Sequence, residues 1–159
     1  MPRVHVQKAR KDYPQFNITK GDTYYWWKFR YSGRCMSKTY PKPSQLTQSE
    51  YVQRICEIQE SASEQLSAFM ELEDLQSVVE SIASDIRDLA QEQEDKLSNM
   101  PDQLQQAPTG ELLQERADNC NQVADDLESM DFSKEDDETD EEAVNRLSSE
   151  ARDFIDGLN

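Results

Sequence analysis

The most regular stretch of the chain begins at Leu72, where apolar or small residues fall at 72, 75, 79, 82, 86 and 89. Steps alternating between three and four mark a helix with one apolar seam, the pattern of coiled coils. Upstream, Ile55, Ile58, Ala62, Leu66 and Phe69 continue the alternation, with a mismatch between 66 and 72 that predicts a stutter. Thr47 and Glu50 form a capping-box pair ahead of this run and Met100-Pro101 closes it, so one long helix is expected over about 48–99. Leu113, Ala117, Cys120, Ala124 and Leu127 predict a second helix over about 110–130, capped by Thr109 after a connector at 101–109. Val144, Leu147, Ala151, Phe154 and Leu158 predict a third over about 140–157, introduced by a Thr139/Glu142 capping box. Three seam-bearing helices can fold as an antiparallel hairpin or bundle. The first is longer than either return helix, which predicts a homodimer through the helices.

A different period governs the first 46 residues. Val4 and Val6 alternate with Arg3, His5 and Gln7, the period of a short strand. KDYPQFNITKGD (11–22) reads as a polar connector broken by Pro14 and Gly21. TYYWWKFRY (23–31) and RCMSKTY (34–40) predict a β-hairpin about a two-residue Ser32-Gly33 turn, ended by the prolines of PKPSQ. In that register Tyr31 faces Arg34, Phe29 faces Met36, Trp27 faces Lys38 and Tyr25 faces Tyr40. Tyr25, Trp27, Phe29 and Tyr31 then point to a core. The other side shows Tyr24, Trp26, Lys28 and Arg30, with Cys35, Ser37 and Thr39 across from them. The fold class expected is α+β: a small N-terminal antiparallel sheet head (1–46) followed by a long-helix coiled-coil or helical-bundle body (47–159).

Composition agrees with an elongated helical protein: 35% of residues are hydrophobic and the mean hydropathy is -0.94. Charge sharpens the division. Residues 1–44 hold ten Lys/Arg against Asp12 and Asp22, a net of +8, and the remainder carries -24, giving the chain its -16. Such asymmetry points to nucleic-acid contact or to an acidic interaction region.

The chemistry of catalysis is poorly represented. The single histidine, His5, cannot build a His/Cys or Ser/His pair, and no glycine-rich phosphate loop is present. Cys35, Cys56 and Cys120 are widely spaced and form no CxxC, so neither a zinc site nor another metal or cofactor site is expected. DFSKEDDETDEE (131–142) lacks the spacing of a calcium loop and reads as a solvated acidic run. The polar opening residues and the absence of an apolar run of membrane length predict a cytoplasmic protein with no signal peptide and no membrane span. A non-enzymatic binding protein is the class that remains.

The hairpin is the sharper signal, because six aromatic residues fall within positions 24–31 with cations among them. Cations neutralise phosphates and aromatic faces stack on bases. The expected contact residues for DNA or RNA are Trp26, Lys28, Arg30, Arg34, Ser37, Lys38 and Thr39. TYYWWKFRYSGRCMSKTY followed by a capped helix resembles the three-stranded-sheet-plus-helix arm-binding domain of phage-type tyrosine recombinases. The matching positions are Trp27, Phe29, Arg30, Gly33, Arg34, Ser37, Lys38 and Thr39, over about residues 1–60. The resemblance implies a sheet laid in the major groove of DNA; no recombinase catalytic region follows. The whole chain is also similar to small uncharacterised bacteriophage proteins that join a KGDTYYWWKFR-type head to a coiled coil containing NMPDQLQ and TGELLQER, which implies a phage setting and a host-cell cytoplasm. The acidic body carries an alternative. Its carboxylates can imitate DNA phosphates and occupy a basic nucleic-acid-handling host protein, such as a defence nuclease or a CRISPR-type complex.

Overall fold

The computed structural model describes residues 1–67, 71–135 and 137–158. The fold is α+β, as expected. Strands β1 (His5–Lys8), β2 (Thr23–Lys28) and β3 (Arg34–Ser37) form an antiparallel sheet in the order β1-β2-β3. Helices α1 (Glu50–Gln65), α2 (Leu72–Ser98), α3 (Asp102–Gln105), α4 (Pro108–Glu128) and α5 (Asp140–Asp156) follow. The chain divides into two compact units, Met1–Cys56 and Glu57–Asn159, and the division falls within α1.

In the sheet unit the hairpin register differs from the expected one. Tyr25 pairs with Ser37, Trp26 with Met36, Trp27 with Cys35 and Lys28 with Arg34. A two-residue hairpin turn needs positive φ at one or both of its residues. Neither Ser32 nor Gly33 has it; among the described residues only Asn17, Gly21 and Asp137 do. The connection is therefore the wider Phe29–Gly33 loop. The pairing moves by three residues, and an odd shift exchanges the faces on which the two strands meet. Trp26, Lys28, Arg34 and Met36 now share a face with His5 and Gln7 of β1. Tyr25, Trp27, Cys35 and Ser37 share the other with Val6 and Lys8.

Segment 9–22 is not the polar connector expected. A 3-10 turn at Pro14–Phe16 and a Tyr13–Ile18 bridge fold it back over the first face. Ala9, Ile18 and Tyr24 form a buried cluster there, with Tyr13, Phe16, Trp26 and Met36 packed against it. Tyr24, expected on the open side, is thus core. Gly21 sits at φ 97, a conformation that glycine adopts without strain, and its N–H donates to the Ala9 carbonyl at 2.9 Å. Trp27 is buried on the opposite face, as expected, whereas Tyr31 is 87% exposed. After β3, a 3-10 turn at Pro43–Leu46 leads to α1. Ser49, rather than Thr47, caps it: the Ser49 hydroxyl accepts from the Val52 N–H at 3.4 Å.

In the helical unit the single helix expected over 48–99 is two. α2 starts afresh after Glu71, whose backbone is extended. The predicted stutter marks this region; Phe69, placed on the seam by its spacing, lies outside the described residues. The α2 seam is otherwise as expected, with Leu75, Val79, Ile82, Ile86 and Leu89 all buried. α2 packs chiefly on α4, through Leu113, Ala117, Cys120, Ala124 and Leu127, and α5 contacts both. The α2 seam residues are thus buried by elements of the same chain. α4 begins at Pro108, so Thr109 lies inside its first turn rather than capping it, and the short α3 occupies part of the predicted connector. Gly110 makes that corner possible: a Cβ there would run into the backbone of Gln105. In α5 the buried row is Ala143, Leu147, Ala151 and Ile155, while Val144 and Phe154 are half-buried. The Thr139/Glu142 capping box forms as expected, with the Thr139 N–H donating to Glu142 at 3.0 Å and the Glu142 N–H donating to Thr139 at 3.3 Å.

Candidate nucleic-acid interface

Trp26 lies at the centre of the first face of the sheet. His5, its direct neighbour on β1, stacks on the indole at 4.2 Å with planes 12° apart. From β3, the Arg34 guanidinium lies 4.0 Å from the ring centroid. The indole also packs on the Ala9/Ile18/Tyr24 cluster and is half-buried. It supports a cation rather than standing free to receive a base.

Register puts Lys28 directly opposite Arg34. Like charges in that relation oppose sheet pairing. Both are exposed, and neither has a carboxylate partner among the described residues. Arg30 follows in the loop, its guanidinium 5.4 Å from the Tyr31 ring. A shallow groove of about 360 Å³ borders the loop, lined by Lys28, Phe29 and Arg30 with Met1, Pro2 and Leu46.

The other three residues expected at the site are engaged elsewhere. Lys38 forms an ion pair with Asp22 at 3.1 Å. The Asp22 carboxylate also accepts from the Thr19 N–H and hydroxyl, each at 3.0 Å. The Thr19 N–H, then Lys38 and the Thr19 hydroxyl, hold the Asp22 carboxyl well below its ordinary value, at about 2. Ser37 lies on the opposite face, and its hydroxyl is 3.3 Å from that of Thr39. The site that the fold assembles is therefore Trp26, Lys28 and Arg34, with Arg30 beside them.

Sequence reasoning missed His5 as a member of this cluster. Its position on a strand was legible, but its neighbour depended on the β1–β2 pairing. The Tyr25–Tyr40 contact of the second face was expected, but Val6 as the β1 neighbour of Tyr25 was not. Tyr25 and Tyr40 meet edge-on at 5.4 Å, although they are not the strand partners the expected turn would have made them.

Among the described residues, no group of His, Cys, Asp or Glu side chains could hold a metal ion, and no helix is long and apolar enough to cross a membrane. Compared with known proteins, the chain matches no family model, no curated protein and no solved structure.

Proposed function

We propose that the protein is a non-enzymatic nucleic-acid-binding protein whose sheet unit grips phosphates through Lys28, Arg30 and Arg34. The observation that carries this is the Arg34–Trp26 stack opposite Lys28. A guanidinium lying on an indole keeps the N–H groups along its edge available, and that edge matches a phosphate with two parallel hydrogen bonds. The stack also restrains the side chain before binding, which lowers the entropy cost of ordering it. A phosphate seated between Lys28 and Arg34 would relieve their mutual repulsion. All ten Lys/Arg of residues 1–44 are exposed, so the field around the site has the right sign for steering a polyanion.

The helical unit, at a net charge of -24, would be repelled by the same ligand. Its acidity favours a second reading, in which the helices occupy a basic nucleic-acid-handling protein. Neither reading requires a second copy of the chain at the α2 seam.

Fluorescence anisotropy of the full chain with a labelled 20-nucleotide strand tests the first reading. Binding at low salt is expected, with a loss of at least tenfold on Lys28→Ala plus Arg34→Ala and little change on the control Arg152→Ala in the helical unit. No binding by the wild type at low salt would overturn the reading.

A further inference from the structure

The second face of the sheet is closed at one end and open at the other. Trp27 is 4% exposed, but Val6, next along that face on β1, is 64% exposed. Tyr25, directly opposite Val6, is half-buried, and the Tyr40 ring that meets it is 64% exposed. Lys8 and Thr23 extend the same face and are exposed. Ser37, the β3 neighbour of Tyr25, adds a hydroxyl beside them, bonded to that of Thr39.

An apolar aromatic surface inside a unit of net charge +8 calls for a ligand that is both anionic and flat-faced. Nucleic acid has both properties, but only an unpaired base offers its face; in a duplex the faces are already stacked. The first face of the sheet cannot serve this purpose, since Trp26 is occupied by His5 and Arg34 and segment 9–22 covers the rest.

We propose that Tyr40, held edge-on by Tyr25, is a stacking platform for an unpaired base, and that the ligand of the sheet unit is single-stranded nucleic acid. This rests on the reading that the sheet unit binds nucleic acid at all. Val6 covers the neighbouring sugar or base, and Lys8 meets the adjoining phosphate. Ser37 and Thr39 hydroxyls both donate and accept, so they add polarity without selecting one base, and the binding is sequence-tolerant.

The test uses the full chain with a labelled 20-nucleotide strand and a labelled 20-base-pair duplex. The wild type is expected to prefer the single strand. Tyr40→Ala should weaken single-strand binding roughly 5- to 150-fold, the span of one lost base stack, and leave duplex binding within about twofold. Tyr40→Phe should retain single-strand affinity and Tyr40→Leu should not, which separates a π-face from mere apolar cover. Unchanged duplex binding shows that the variants are folded. A wild-type preference for the duplex, or a Tyr40→Ala loss that is absent or equal for both ligands, overturns this inference while leaving the phosphate-binding reading in place. Failure of the wild type to bind either ligand at low salt overturns both.

Discussion

In the helical unit most large apolar side chains line a buried seam, with Leu104 and Leu112 the exposed exceptions; in the sheet unit Val6 and two tyrosines stay on the surface. Leu75, Ile86, Leu89, Leu127 and Leu147 are fully buried, whereas Val6, Tyr31 and Tyr40 are mostly exposed. Charge divides the same way. The helical unit is acidic, and some of its cations are neutralised internally: Arg87 of α2 donates to Glu128 of α4 at 2.9 and 2.7 Å and also pairs with Asp125. These contacts raise the Arg87 pKa and lower that of Glu128. In the sheet unit, Lys28 and Arg34 face each other with no such relief. One unit is arranged for its own stability. The other carries a repulsive pair and apolar rings in water, features that cost stability and that the proposed nucleic-acid contact would offset.

The comparison predicts a separation of effects. Leu89→Ala in the helical unit should cost about 2–5 kcal/mol in denaturant unfolding, through lost burial and the cavity left behind. Tyr40→Ala in the sheet unit should cost no more than about 0.5–1.5 kcal/mol, the worth of its edge-on contact with Tyr25, while changing single-strand binding. A large stability loss at Tyr40 would break the distinction.

Gly110→Ala is the next largest. The new methyl would meet the Gln105 backbone, which cannot move aside as a side chain tip can, so about 1–3 kcal/mol should be lost. Ordinary helix propensity predicts the reverse, a gain of up to about 1 kcal/mol, so the sign of the measured change decides between them. Lys28→Thr is expected to be neutral or stabilising by about 0.2–1 kcal/mol, because it removes a like-charge pair. A clear destabilisation would show that Lys28 has a structural role.

The smallest effect concerns Asp22. Its folded-state pKa is depressed from 3.8 to about 2, so its contribution to stability is fully present above 3.8 and is lost as pH falls through about 2. Carboxyl NMR should find its midpoint near 2, and Lys38→Ala should move it toward the ordinary value. A midpoint near 3.8 in the wild type would contradict the Thr19–Asp22–Lys38 arrangement.

How much was legible in the sequence follows from what each fold depends on. The helix seams were read almost residue for residue, because a helix buries a stripe set by its own local period. The miss in α5 came from small residues. Ala143 and Ala151 let that helix approach closely along a row of fourfold steps, a row that large-residue spacing does not reveal. The sheet depended on one turn. Ser32-Gly33 was compatible with a tight hairpin by composition, but its φ angles do not take that form, and every cross-strand pair moved with it. Lys28, Arg30 and Arg34 stay near one another because adjacency to the loop survives a register shift. Ser37, Lys38 and Thr39 do not join them, because their grouping with Trp26, Lys28 and Arg30 required the expected register.

The central claim is that Lys28, Arg30 and Arg34 contact phosphates. The most direct measurement is the salt dependence of single-strand binding by the full chain, compared with the Lys28→Ala/Arg30→Ala/Arg34→Ala variant. Each lost phosphate contact should flatten the plot of log affinity against log salt by about 0.7, so the variant's slope should be shallower by about 2. An unchanged slope would contradict the account.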